Sequence, residues 1–261
     1  TNTFHFLDLD RYAQVKKAGG LHLFFNFPKP IGTDSGGFQV LSLGKGMEYG
    51  LGKIQSLFPG ENVATVKSGK NLVRIFEEGI RFRSPRDGRE IFLTPELSAR
   101  VQTALGADFI YLLDICGTNI DTYATAKTEL ARTLRWYRRF LRVPIPPSQA
   151  MFAIVQGGLF KELRREAIAA INKLSMFGTA IGGALGKSKR QMYQIISWVM
   201  EHSDRSRPPH LLGVGDTESI PEIIRLGVDL FDCALPTRIA RHGTALTKNG
   251  PLDITRGMFK N

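Results

Sequence analysis

A short apolar run followed by a polar or glycine-containing loop and an amphipathic helix recurs along this 261-residue chain. The runs predict strands at residues 108–114, 151–156, 179–183, 210–215 and 229–235, and helical patterns lie between them at residues 122–142, 160–174, 188–202 and 217–226. Continuous apolar runs without alternation are typical of strands buried on both faces of a parallel sheet. Repeated strand–helix units of this kind restrict the fold to a (βα)8 barrel or a doubly wound sheet.

The polar residues that follow these runs favour the barrel. Asp34, Asp114, Gln156, the Gly182–Gly183 pair and Asp232 all come at the carboxyl ends of predicted strands, and a barrel brings such positions together at one mouth. A doubly wound sheet is expected to have a glycine-rich phosphate loop, and the sequence has neither a Gly-x-Gly-x-x-Gly motif nor a P-loop. We therefore predict an α/β protein with a TIM-barrel catalytic domain over residues 1–261.

Residues 82–93 depart from this repeated strand–helix pattern. Their polar and apolar side chains alternate around the turn-forming segment 84–88, which predicts a β-hairpin inserted into the barrel. Thr94 and Pro95 come directly afterwards and predict an N-cap followed by proline at the first position of a helix.

Two aspartates stand where predicted strands stop. Asp232 ends an apolar run and precedes a Pro-Thr-Arg loop, and Asp34 lies in the segment Thr-Asp-Ser-Gly-Gly-Phe-Gln. Two carboxylates on separate strand ends are the minimum for double displacement at a sugar carbon. The alternative interpretation is that each aspartate only forms a turn or caps a helix.

Charge and cysteine content limit the class of partner and the compartment. The formal net charge of +11 favours a polyanionic partner, nucleic acid before membrane, although a merely solubilising surface is the alternative. Cys116 and Cys233 are interpreted as packing residues in a reducing compartment. No cysteine or histidine spacing typical of a metal site occurs, and the histidines, His210 among them, are interpreted as structural or surface groups. With no membrane-spanning run or signal peptide, we expect a cytoplasmic protein.

Five ordered segments resemble one family over essentially the whole chain. They are residues 33–39 (TDSGGFQ), 152–158 (FAIVQGG), 181–183 (IGG), 211–215 (LLGVG) and 231–243 (FDCALPTRIARHG). Their order is similar to that in tRNA-guanine transglycosylases, and residues 2–5 resemble a further motif near that family's second strand. The family exchanges guanine at the tRNA wobble position for a 7-deazaguanine base, on the route to queuosine.

The resemblance implies roles for individual residues. Asp232 would be the nucleophile and Asp34 the general acid and base. Asp114, Gln156, Gly183, Ser35 and Cys116 would surround the base, with Phe38 and Leu212 stacking on its two faces. Arg238 and Arg241 would bind the tRNA anticodon. Five arginines on the polar face of helix 122–142 offer a tRNA backbone surface, with an ordinary solvated face as the alternative.

The chain also departs from the family pattern. The family's structural zinc uses three cysteines and a histidine beyond residue 261, so we expect no zinc and no cofactor here. Its first barrel strand would lie before Thr1, so we expect an incomplete barrel, a truncated gene, or closure in a homodimer or by a partner subunit. The leading hypothesis is an active tRNA-guanine transglycosylase. Open alternatives are a DNA-directed relative, a non-catalytic partner subunit and a fragment that cannot fold.

Overall fold

The computed structural model describes residues 1–7, 11–41, 73–84 and 87–256. Its helices are α1 (Phe4–Leu7), α2 (Arg11–Lys17), α3 (Leu21–Phe25), α4 (Gly37–Leu41), α5 (Pro95–Leu105), α6 (Tyr123–Phe140), α7 (Lys161–Ile171), α8 (Lys189–Met200), α9 (Ile220–Arg225) and α10 (Leu235–Arg241). Its strands are β1 (Gly32–Thr33), β2 (Val73–Ile75), β3 (Ile80–Arg83), β4 (Glu90–Leu93), β5 (Phe109–Tyr111), β6 (Ala150–Val155), β7 (Gly178–Ile181), β8 (Pro209–Leu211), β9 (Leu230–Phe231), β10 (Thr244–Thr247) and β11 (Gly250–Asp253).

The main sheet is parallel and has the strand order β1-β5-β6-β7-β8-β9. A single parallel bridge between Asn2 and Asp34 extends it beyond β1. Helices α6, α7 and α8 connect successive strands, as the crossovers of βα units must. Within the described residues β9 pairs only with β8 and no pairing closes the sheet, so the predicted incomplete (βα)8 barrel is confirmed.

Strand β6 shows why the apolar runs are continuous. Phe152 and Ile154 belong to a small cluster inside the curled sheet, whereas Ala153 and Val155 belong to the large core that faces the helices. Alternate side chains point to opposite faces, and both faces are buried. The paired strands are shorter than predicted because residues 112–114 and 212–215 continue past the ladder into the loops that carry the candidate site.

The predicted hairpin is present as part of a three-stranded antiparallel sheet. Strands β3 and β4 pair from Ile80–Leu93 to Arg83–Glu90, and β2 adds a third strand. Pro85 and Arg86 of the predicted turn lie outside the described residues. The predicted cap that follows is confirmed, because the Thr94 hydroxyl accepts a hydrogen bond from the backbone of Leu97 at 3.1 Å.

The arginine-rich face of α6 holds this small sheet. Arg135 makes a bidentate ion pair with Glu77 in the β2–β3 turn, at 2.6 and 2.8 Å. Arg132 Nε donates to Glu77 Oε2 at 3.2 Å. Arg139 binds both carboxylate oxygens of Glu96 at 2.7 Å. Three of the five arginines therefore contact acidic side chains of the protein itself, and Arg138 and Arg142 are exposed.

The apolar face of α6 is mostly buried. Leu130, Trp136, Tyr137 and Phe140 are buried, whereas Tyr123 at the start of the helix is 44% exposed. The Trp136 indole donates to the Glu77 backbone carbonyl at 2.7 Å, so the small sheet contacts this face as well. Among the described residues, no helix combines the length and the apolar character needed to cross a membrane.

Candidate active site

One predicted site residue follows the end of each of the six parallel strands. In sheet order these are Asp34 after β1, Asp114 after β5, Gln156 after β6, Gly183 after β7, Leu212 after β8 and Asp232 after β9. The carboxyl ends of parallel strands meet at one edge of the sheet, which is where barrel enzymes place their chemistry. The structure therefore brings these residues to the same mouth.

Asp114 and Gln156 form the buried floor of this mouth. Both are almost completely buried, and the Gln156 side-chain amide donates to Asp114 Oδ2 at 2.6 Å. The Ser35 hydroxyl approaches Asp114 Oδ1 at 3.4 Å. Gln156 Oε1 is buried and has no hydrogen-bond partner in the described part of the chain. Because buried acceptors are nearly always satisfied, this oxygen is available to a donor on a bound ligand.

Glycine at position 183 is required by its surroundings. Its φ of 76° lies in the left-handed region, and a Cβ added there would overlap Gln156 Oε1. A Cβ on the preceding Gly182 would contact the Gln156 amide at 3.2 Å and Leu212 at 3.6 Å. The two glycines thus let the backbone of the β7 loop lie directly against Gln156 and beside Leu212.

Asp34 is held on both carboxylate oxygens. Asn2 Nδ2 donates to its Oδ2 at 2.9 Å, and the backbone amide of Ser35 donates to its Oδ1 at 2.8 Å. Asn2 is 5% exposed and also donates to Gln39 Oε1 at 2.6 Å. The segment near the chain start therefore orients one of the two candidate catalytic carboxylates.

Asp232 is more open to solvent, with 57% of its side chain exposed. Its Oδ1 accepts a hydrogen bond from the Gly213 backbone amide at 2.9 Å and lies 3.2 Å from His210 Nε2. Burial raises the pKa of the nearby Tyr111 hydroxyl, and the charges of Asp232 and Asp34 raise it further. The charges of both carboxylates therefore reach the interior of the sheet around Tyr111.

His210 was missed as a site residue because a lone histidine in an apolar run is interpreted as structural. The signal was nevertheless available. Alternation along a strand places His210 on the same face as Leu212, two residues further on, which was a predicted site residue.

Arg164 was missed as well, although it lies beside the same loops. Its guanidinium is fully buried in α7 and donates to the carbonyl oxygens of Val155, Gly158, Gly182 and Ala184 at 2.7–2.9 Å. Burial lowers the pKa of Arg164 to about 10, which leaves it cationic at neutral pH. Its spacing from Ala167 and Ile168 on the buried face of the helix was the signal.

The remaining predicted residues lie around this mouth. Phe38 is in α4 and is partly exposed, and Cys116 follows β5 with its thiol 3.7 Å from the Gly117 carbonyl. Arg238 and Arg241 are in α10, directly after Asp232, and Arg241 is exposed. The roles of these residues stay predictions. No group of three or more His, Cys, Asp or Glu side chains among the described residues could hold a metal ion.

The fold and these residues define a βα-barrel protein with two carboxylates, Asp34 and Asp232, and a buried polar pair, Asp114 and Gln156, at the carboxyl ends of its strands. Carboxylates at separate strand ends are a feature of glycosyl-transfer sites. The sequence profile of the family described as Queuine tRNA-ribosyltransferase matches residues 1–261, and the chain belongs to this family.

Similar proteins carry the same description. The chain is 42% identical to the queuine tRNA-ribosyltransferase of Protochlamydia amoebophila over 99% of its own length and 65% of that protein. It is 38% identical to those of Natranaerobius thermophilus and Halothermothrix orenii, covering 64% and 63% of their lengths. The chain thus spans slightly less than two thirds of these relatives.

Proposed function

We propose that the protein is a tRNA-guanine transglycosylase, which exchanges the wobble guanine of a tRNA for a 7-deazaguanine base in queuosine formation. The observation that carries this proposal is the placement of Asp232 and Asp34. They follow the strands at the two ends of the sheet, and the charges of both raise the pKa of Tyr111. The names of the relatives support a tRNA substrate and ribosyl transfer.

The proposed chemistry is a double displacement. An Asp232 carboxylate oxygen attacks the anomeric carbon of the ribose, forming a covalent ester as the bond to guanine breaks. Asp34 donates a proton to the departing guanine and then removes one from the incoming base. That base attacks the same carbon and releases Asp232, so the configuration at the carbon is retained and no proton is gained or lost overall.

The buried floor of the mouth would recognise the base. Asp114 can accept two N–H groups from a guanine-like edge, and Gln156 can accept through its unpartnered Oε1. The Gly183 backbone amide can approach closely because no side chain intervenes. The other proposed contacts to the base are Ser35 and Cys116 at its edge and Phe38 and Leu212 on its faces.

The tRNA would bind across the basic surface beside the mouth. Arg238 and Arg241 lie in helix α10, which begins three residues after Asp232, and guanidinium groups suit both phosphates and base edges. A tRNA substrate would place the protein in the cytoplasm. We also propose that the protein forms a homodimer or binds a partner subunit, which light scattering tests. The proposed lack of zinc is tested by elemental analysis of the purified protein.

The proposal is tested by guanine exchange. Radiolabelled guanine is expected to enter a queuosine-type tRNA with the unmodified protein, and a covalent protein–RNA adduct is expected on denaturing gels. Asp232→Asn should abolish both while tRNA binding survives. Asp229→Asn is the matched control, because Asp229 is exposed at the opposite end of the same strand.

The outcomes separate the alternatives. An adduct that persists in Asp232→Asn removes Asp232 from the nucleophile role. Label that enters DNA but not tRNA indicates a DNA-directed enzyme. A folded protein that binds tRNA without any exchange indicates a non-catalytic subunit.

A further inference from the structure

Tyr111, His210 and Asp232 form a continuous chain of contacts inside the curled sheet. The Tyr111 hydroxyl lies 2.7 Å from His210 Nδ1, and His210 Nε2 lies 3.2 Å from Asp232 Oδ1. The Tyr111 residue is 5% exposed and the His210 side chain 10%. The three residues come from β5, β8 and the end of β9, so the contact depends on the barrel being assembled.

Tyr111 determines which nitrogen of His210 carries the proton. Its phenol stays protonated at neutral pH, because burial and the two carboxylates raise its pKa. Among the described residues its hydroxyl has no hydrogen-bond partner other than His210 Nδ1. If Nδ1 carried the proton, the buried phenolic hydrogen would lack an acceptor, which is costly. The favoured tautomer therefore has Nδ1 accepting from Tyr111 and the proton on Nε2, which faces Asp232.

We propose that His210, held in this tautomer by Tyr111, positions the Asp232 carboxylate for attack on the ribose. The inference rests on the proposed function, in which Asp232 is the nucleophile. His210 Nε2 and the Gly213 amide would both hold Oδ1 and so set the rotation of the carboxylate. Although Nε2 lies 3.2 Å from Asp232 Oδ1, it makes no full hydrogen bond within the described residues. In the proposed role a small rotation of Asp232 completes this bond, because catalytic hydrogen bonds commonly tighten when substrate enters a site. No proton moves along the chain in this role.

A double-mutant cycle on the rate of adduct formation tests the proposal. At saturating tRNA, His210→Phe should slow formation of the covalent adduct about 10- to 100-fold, and Tyr111→Phe about 10-fold, with little change in tRNA affinity. Because Tyr111 acts through His210, the double variant should be no slower than His210→Phe alone. Tyr123→Phe is the matched control, since Tyr123 is exposed on α6.

Rates that multiply in the double variant, or Tyr111→Phe at the unmodified rate, overturn the proposal while leaving Asp232 as the nucleophile. Absence of any adduct in the unmodified protein overturns it together with the proposed function. Nitrogen-15 NMR of labelled histidine provides a readout independent of activity. We expect the His210 Nε2–H tautomer in the unmodified protein and a mixture of tautomers in Tyr111→Phe, and an Nδ1–H tautomer in the unmodified protein contradicts the inference.

Discussion

Replacing Arg164 with methionine removes four hydrogen bonds from the loops that follow β6 and β7. Methionine can fill most of the volume of the side chain but donates nothing. The buried carbonyl oxygens of Gly158, Gly182 and Ala184 therefore lose their donor, whereas the Val155 carbonyl keeps the Gly182 amide at 3.4 Å. Each of these three unsatisfied acceptors costs about 2 kcal/mol. Part of this is recovered because the variant no longer buries a cation.

The recovered part follows from the pKa of Arg164. Burial lowers this pKa from 12.5 to about 10, and the shift corresponds to about 3 kcal/mol. The net loss in the free energy of unfolding is therefore about 3 kcal/mol, a large fraction of the 5–15 kcal/mol that roughly spans small domains. Arg164→Lys should be at least as unstable, because it keeps a buried charge with fewer donors and without the planar fork.

Urea unfolding followed by circular dichroism measures this difference, and the Michaelis constant for guanine should rise because Gly182 and Ala184 flank Gly183. Arg165→Met is the matched control. Arg165 is the next residue, is 46% exposed and contacts Glu201 at 3.2 Å, so its loss should cost below about 1 kcal/mol. Equal stability of Arg164→Met and Arg165→Met would show that the Arg164 hydrogen bonds do not stabilise the loops after β6 and β7. An Arg164→Lys variant as stable as the unmodified protein would show the same.

Three further predictions concern the pocket, the small sheet and the partner. Gly183→Ala should weaken guanine binding at least tenfold, because the new Cβ overlaps Gln156 and the φ of residue 183 is unfavourable for alanine. Gly88→Ala is the control and should leave exchange unchanged, because Gly88 has a similar φ of 71° but open space around its Cβ position. Hydrogen bonding to Arg135 lowers the pKa of Glu77 from 4.5 to about 2, so its stabilising contribution should be present above pH 4.5 and be lost as the pH falls towards 2. Denaturation of Glu77→Gln against the Glu78→Gln control measures it, and a difference that persists at pH 2 contradicts this assignment. The logarithm of the tRNA binding constant should fall linearly with the logarithm of the salt concentration, and Arg241→Ala should reduce the slope by about one. A flat response would exclude a polyanionic partner.

The alternation of strands and helices, the barrel class and the positions of the polar residues at the strand ends followed from the sequence. These features depend on local periodicity, which a single chain reveals without knowledge of its neighbours. Asp114, Gln156 and Asp232 were found in this way, because each lies at the end of an apolar run that predicts a buried strand. The chemistry assigned to them rests on the family resemblance and awaits the exchange assay.

Three contacts were decided only by the tertiary structure. His210 meets Asp232 across two strands, Arg164 binds carbonyl groups up to 20 residues away, and Arg135 pairs with Glu77 from 58 residues away. Each is a long-range pairing between groups whose local sequence is compatible with other partners or with solvent. Periodicity determines which face of a strand or helix a residue occupies, but only the packed barrel determines which group lies opposite it. At this mouth that choice sets the contacts of the candidate nucleophile Asp232 with the Gly213 amide and His210.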